Sequence, residues 1–96
     1  MLILGRKREQ AFYCNEMLVV VESFGEDCVS LAAHLSGQTM KMILRDGDSK
    51  KVKFFYSDLI IKFCGFHGGR TQGRIGISAS RDVLIVREEL ETKKLA

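Results

Sequence analysis

Hydrophobic residues in this 96-residue chain recur mostly at every second position, and no proline interrupts them. A period of two sends alternate side chains to opposite faces of an extended strand, so the chain is committed to pleated sheet. Met1-Leu2-Ile3-Leu4 opens a strand that runs into Arg6-Lys7-Arg8, and Ala11 to Cys14 forms a short second strand after a tight turn. Asn15-Glu16 reads as the next turn, followed by the β-branched run Leu18 to Val21. Met40 to Leu44 is a further strand, and Arg45-Asp46-Gly47-Asp48 is a hairpin turn because Asp-Gly tolerates positive backbone angles. Val52 to Tyr56 is its return strand. Leu59 to Phe66, Gly73 to Ser78 and Val83 to Val86 complete the set, with His67 to Arg70 as a loop. Arg87 to Ala96 reads as a short C-terminal helix, Lys93 and Lys94 suiting its negative end.

One segment admits two readings. Val29, Leu31, Ala33 and Leu35 alternate with Ser30, Ala32 and His34, which predicts a strand; Asp27 as N-cap and Gly37 as a stop predict a helix instead. Alternation is preferred, because the run ending at Val21 needs a partner strand. With 46% hydrophobic residues, a chain of this length builds one core and not two, so one all-β domain is expected.

The 15 Lys plus Arg exceed the 12 Asp plus Glu by a formal charge of +3, which permits an anionic partner without requiring one. Cys14, Cys28 and Cys64 are an odd number at wide spacing with no secretory signal ahead of them, so a reducing, cytoplasmic setting is expected. The longest apolar run falls well short of the ~18 residues of a spanning helix, and a soluble protein is expected.

Candidates for catalysis fall away one by one. No nucleophile, base and orienting group stand in a recognisable arrangement, and no helix begins behind Gly65, Gly68, Gly69, Gly73 and Gly76 to make a phosphate loop of them. Cys64-x-x-His67 has ligand spacing, but Cys14, Cys28 and His34 supply no matching pair, so no metal or other cofactor is expected. Glu88 and Glu89 suit the positive start of the terminal helix better than an acid pair. Phe54-Phe55-Tyr56 beside Lys50, Lys51 and Lys53 fits a stacking platform for single-stranded RNA, and fits the core face of a hairpin at least as well. A non-enzymatic, binding role is the expectation.

The chain also repeats itself weakly. Leu2-Ile3-Leu4 matches Met42-Ile43-Leu44, Asn15-Glu16 with Leu18-Val19 matches Ser57-Asp58 with Ile60-Ile61, and Val29 to Ala33 matches Gly73 to Ile77. These matches divide the domain into residues 1–37 and residues 38–96.

Both ends carry a resemblance. Met1-Leu2-Ile3-Leu4-Gly5-Arg6-Lys7 at the start, and Arg74-Ile75-Gly76-Ile77 then Val83-Leu84-Ile85-Val86-Arg87-Glu88-Glu89-Leu90 at the close, resemble the carbon storage regulator (CsrA/RsmA) family in order and nearly in spacing. The resemblance implies a small strand-exchanged β-barrel or sandwich with a short C-terminal helix. It implies binding of RNA with a GGA core, in mRNA leaders or small RNAs, and translational regulation in a bacterial cytoplasm. Carried over by position, the RNA surface is Leu4, Arg6, Lys7 and Arg8 with Ile85 and Arg87. Arginine and lysine there neutralise phosphates, and an arginine fork reads a guanine edge or stacks on a base.

The chain departs from the family's pattern at Gly5, at Glu9-Gln10 and at Ala79-Ser80, and it carries residues 38–57 in excess of a single family repeat. Either it is a fused pseudo-dimer whose second basic turn has decayed to Asp46-Gly47-Asp48, leaving one RNA site, or the excess is an insertion in an ordinary homodimer with two sites. The fused form is preferred. The competing function is a protein-interaction module of the same fold that has lost RNA and modulates a true family member or binds its protein antagonist.

Overall fold

The computed structural model describes residues 1–54, 57–69 and 71–90. Among these described residues nine strands follow one another: β1 (Leu2–Lys7), β2 (Ala11–Cys14), β3 (Met17–Phe24), β4 (Cys28–Leu35), β5 (Gln38–Arg45), β6 (Ser49–Phe54), β7 (Ser57–Phe66), β8 (Gln72–Ala79) and β9 (Ile85–Arg87). One helical turn at 88–90 follows them. The expected helix beyond it falls on residues 91–96, outside the described residues, as do Phe55, Tyr56 and Arg70. The segment open to two readings is the strand β4, paired to β3 through Val21↔Leu31 and Val19↔Ala33. Its alternation decides the matter, because one face must be buried against the core while the β3 ladder satisfies its backbone.

All pairings are antiparallel, and they form two sheets, ordered β1-β8-β7-β6 and β5-β4-β3-β2-β9. Among the described residues each is open at both edges, so they form a two-sheet sandwich and not a closed barrel. Both sheets supply the single core: Phe12, Met17, Val19, Val21 and Leu31 meet Leu59, Ile61, Phe63, Ile75 and Ile77. Burying side chains of this size stabilises by about 1.5–3 kcal/mol each. Val83 anchors the start of the terminal strand, which runs over Ile85–Arg87 instead of the expected Val83 to Val86.

The two sheets are related by an internal two-fold that the weak repeat foreshadows. β1 to β4 correspond to β5 to β8, and each half lends its first strand to the other half's sheet. Hydrogen bonds recur pair by pair. After β1, Gln10 N donates to Lys7 O (3.0 Å), Glu9 N to Val21 O (2.7 Å), and Lys7 N to Gln10 Oε1 (2.8 Å). After β5, Asp48 N donates to Arg45 O (2.8 Å), Gly47 N to Phe63 O (2.8 Å), and Arg45 N to Asp48 Oδ2 (3.2 Å). Bulges recur as well, between Val21 and Ser23 on β3 and between Phe63 and Phe66 on β7. Phe24 and Phe66 correspond, and their rings meet edge to face at 5.4 Å near the axis.

The observed register corrects the first of the sequence matches, and in the second it moves Asn15 from Ser57 to Lys53 while leaving Leu18-Val19 on Ile60-Ile61. Leu4 faces Ile75 and Met42 faces Leu31, so Leu4 corresponds to Met42 and Arg6 to Leu44, two residues away from the match read in the sequence. Alternation alone is blind to a slip of two, which leaves every side chain on its own face. The fifth strand breaks the symmetry: β9 adds to the edge of β2, and no described strand adds to the corresponding edge of β6.

Candidate nucleic-acid interface

β1 and β9 are edge strands of different sheets, not neighbours on one sheet. What brings them together is Arg6. Its Nη1 donates to Ala11 O of β2 (3.1 Å) and to both carboxylate oxygens of Glu89 (3.1 and 3.2 Å), while Nε donates to Gly5 O (2.7 Å). Glu89 lies two residues beyond Arg87, and Ala11 lies next to Phe12, the register partner of Arg87 on β2. The guanidinium thus fastens the opening strand to the segment that closes the second sheet.

This use of Arg6 differs from the one expected. Its side chain is 6% exposed and that of Glu89 47%, so the guanidinium is spent on the protein's own seam and its face is closed to solvent. Leu4 is likewise buried in the core, and Ile85 is half-buried against it. Alternation explains the pair: Leu4 and Arg6 share the inward phase of β1, which leaves Gly5 and Lys7 on the outward phase. Arg8 lies in the turn after β1 and not on Arg6's strand face. Lys7, Arg8 and Arg87 are the exposed members of the set, and none has an ion pair within the described residues. Lys7 and Arg8 line a shallow groove with Phe24 and Thr71, of about 380 Å³.

Two local features hold β9 where it is. Asn15, at φ 52°, takes Leu84 between its backbone and its side chain: its N donates to Leu84 O and its Oδ1 accepts from Leu84 N, both at 2.8 Å. Val83 N donates to Ser80 O (3.1 Å), closing the turn that delivers the strand, and Ser80 Oγ also bonds the Asp82 carboxylate. Asn15 read as a turn residue in the sequence; its grip on β9 was missed because the partners are far apart in the chain. On the other side of the site, Gly73 stands opposite Arg6 in the β1–β8 register, and a Cβ there would come within 2.6 Å of the Phe24 ring. The corresponding pair in the other half is Leu44 with Val29.

Burial pushes the Cys14 thiol up to about 12, which keeps it protonated and unreactive. Among the described residues no three His, Cys, Asp or Glu side chains gather around a point that would suit a metal ion. His34 bonds Thr39 Oγ1 at 2.8 Å on the exposed β4–β5 hairpin, far from any partner of that kind. Among the described residues no helix is long and apolar enough to cross a membrane. The chain matches no protein-family model, no curated protein and no solved structure.

Proposed function

We propose that the protein is an RNA-binding translational regulator of the carbon storage regulator type, with one RNA site per chain at the β1–β9 seam. The observation that supports this reading is the Arg6–Glu89 fastening, which ties the strand carrying Lys7 to the segment carrying Arg87, each at a strand edge that is open among the described residues. Strand edges offer backbone donors and acceptors to splayed-out bases, and unpaired cations beside them neutralise the phosphates. In this reading Arg87 reads a base, Lys7 and Arg8 hold the backbone of the RNA, and Leu4, Arg6 and Ile85 form the platform beneath them. Single-chain fusion of two repeats follows from the same reading, since each half lends its first strand to the other within one molecule.

The test is a titration of a GGA-containing RNA hairpin. One hairpin per chain is expected, and Arg87→Ala is expected to weaken binding about tenfold or more. Binding unchanged in the double variant Arg8→Glu, Arg87→Glu overturns the reading. The occupied Arg6 favours a second possibility, a module of this fold that binds protein and not RNA; its mark is a mixed assembly with a family member and no RNA affinity.

A further inference from the structure

The internal two-fold exposes a slot. β2 carries β9 on its free edge through Phe12↔Arg87, Tyr13↔Val86 and Cys14↔Ile85. The register of β6 on β7 makes Lys50, Lys51 and Val52 the counterparts of Phe12, Tyr13 and Cys14, since Val52 faces Leu59 as Cys14 faces Met17. Beside Val52 lies an open groove of about 390 Å³, floored by Met17, Ala33, Leu35 and Met40 and flanked by Lys53. Lys53 corresponds to Asn15, the residue that grips β9 in the other half. The groove and the β6 edge, uncovered among the described residues, therefore occupy the place that Val83 to Arg87 fill on the opposite side of the molecule.

We propose that this slot receives an extended strand from a partner protein, added antiparallel to β6 and carrying the pattern aliphatic, any residue, acidic. Symmetry sets the pattern. The aliphatic side chain takes the place of Ile85 opposite Val52, and the acidic one takes the place of Arg87 opposite Lys50. Lys51 is already paired with Asp58 at 3.4 Å, whereas Lys50 and Lys53 have no partner within the described residues. The same lysines argue against a second copy as the occupant, because two β6 edges laid antiparallel bring like charges face to face. An acidic strand satisfies the edge hydrogen bonds, the groove and the charge together.

The probe is a fluorescein-labelled synthetic peptide with the sequence of residues 81–89 and glutamate in place of Arg87, followed by anisotropy against the full chain. Saturable one-to-one binding is expected, with the unaltered arginine peptide weaker by about fivefold. Lys50→Glu, an exposed site that leaves the fold intact, is expected to invert that preference. Equal affinity for both peptides, or no inversion in Lys50→Glu, overturns the proposal. So does a chain that dimerises through β6, or a GGA hairpin that displaces the peptide from the Arg87→Ala variant, since the slot would then belong to a second copy or to RNA. Loss of RNA binding in Arg87→Ala bears on the seam alone, which keeps the two proposals separable.

Discussion

The two halves of the molecule share a backbone and differ in what they do with it. In the first, the inward residue two after Leu4 is Arg6, bound to Glu89, and the lateral edge of β2 is covered by β9. In the second, the inward residue two after Met42 is Leu44, buried in the core, and no described strand covers the corresponding edge of β6. Comparing them separates what the fold requires from what one site requires. The fold requires an inward side chain at that position, a turn closed by the side chain four residues further on, and a bulge on the third strand. The fastening arginine and the fifth strand have no counterpart among the described residues, and they belong together, because Glu89 follows β9.

The sharpest way to break the comparison is to exchange core against edge. Phe12 is completely buried under β9, and its counterpart Lys50 is exposed. Phe12→Ala is expected to destabilise by about 3–5 kcal/mol, and Lys50→Ala to change stability by less than about 0.5 kcal/mol. Midpoints of urea unfolding for both variants check this; similar losses at the two sites would mean that the β6 edge is covered in solution as the β2 edge is.

Arg6 gives the next largest effect. Arg6→Ala removes the donor from Ala11 O and the partner of Glu89, and is expected to cost about 2–3 kcal/mol, less than a fully buried pair because Glu89 is half exposed. Arg6→Leu copies the other half, keeps the apolar volume, and is expected to cost about 1 kcal/mol for the acceptor left without its donor. If Arg6→Leu costs as much as Arg6→Ala, the fastening is electrostatic through and through and Leu44 is not its structural equivalent. Measured beside RNA affinity, the same variant distinguishes an arginine that positions the seam from one that touches the ligand.

These contrasts also explain what could be read from the sequence. The strands and the β4 segment were legible because alternation is local, and so was a turn at Asp46-Gly47; that it closes a hairpin with a return strand was misread, because the turn passes the chain from β5 in one sheet to β6 in the other. The bounds of β9 were not: Leu84 is held by Asn15 from across the chain, which no window of neighbouring residues contains. Nor was the inward phase of Arg6. An arginine at the end of a strand reads as solvated, and the reason for burying this one is a carboxylate at the far end of the chain. The register of the two halves was read two residues off for a related reason, since buried Leu4 and Met42 differ in side chain while Leu2-Ile3-Leu4 and Met42-Ile43-Leu44 look alike.

The smallest effect tests the turn itself. Glu9 and Gly47 are counterparts, with φ 71° and 92°, and each donates its N–H across to the third strand of its own half. A side chain in this left-handed region is strained by about 1–2 kcal/mol, and glycine there escapes the strain while adding freedom to the unfolded chain. Nothing lies within 4 Å of where a Cβ on Gly47 would stand, so any penalty there comes from the backbone alone. Gly47→Ala is therefore expected to cost about 1 kcal/mol, and Glu9→Gly to gain about 0.5 kcal/mol, in thermal unfolding of otherwise unchanged chains. If both changes fall in the same direction, the two turns differ in more than their side chains, and the two-fold ends at the strands.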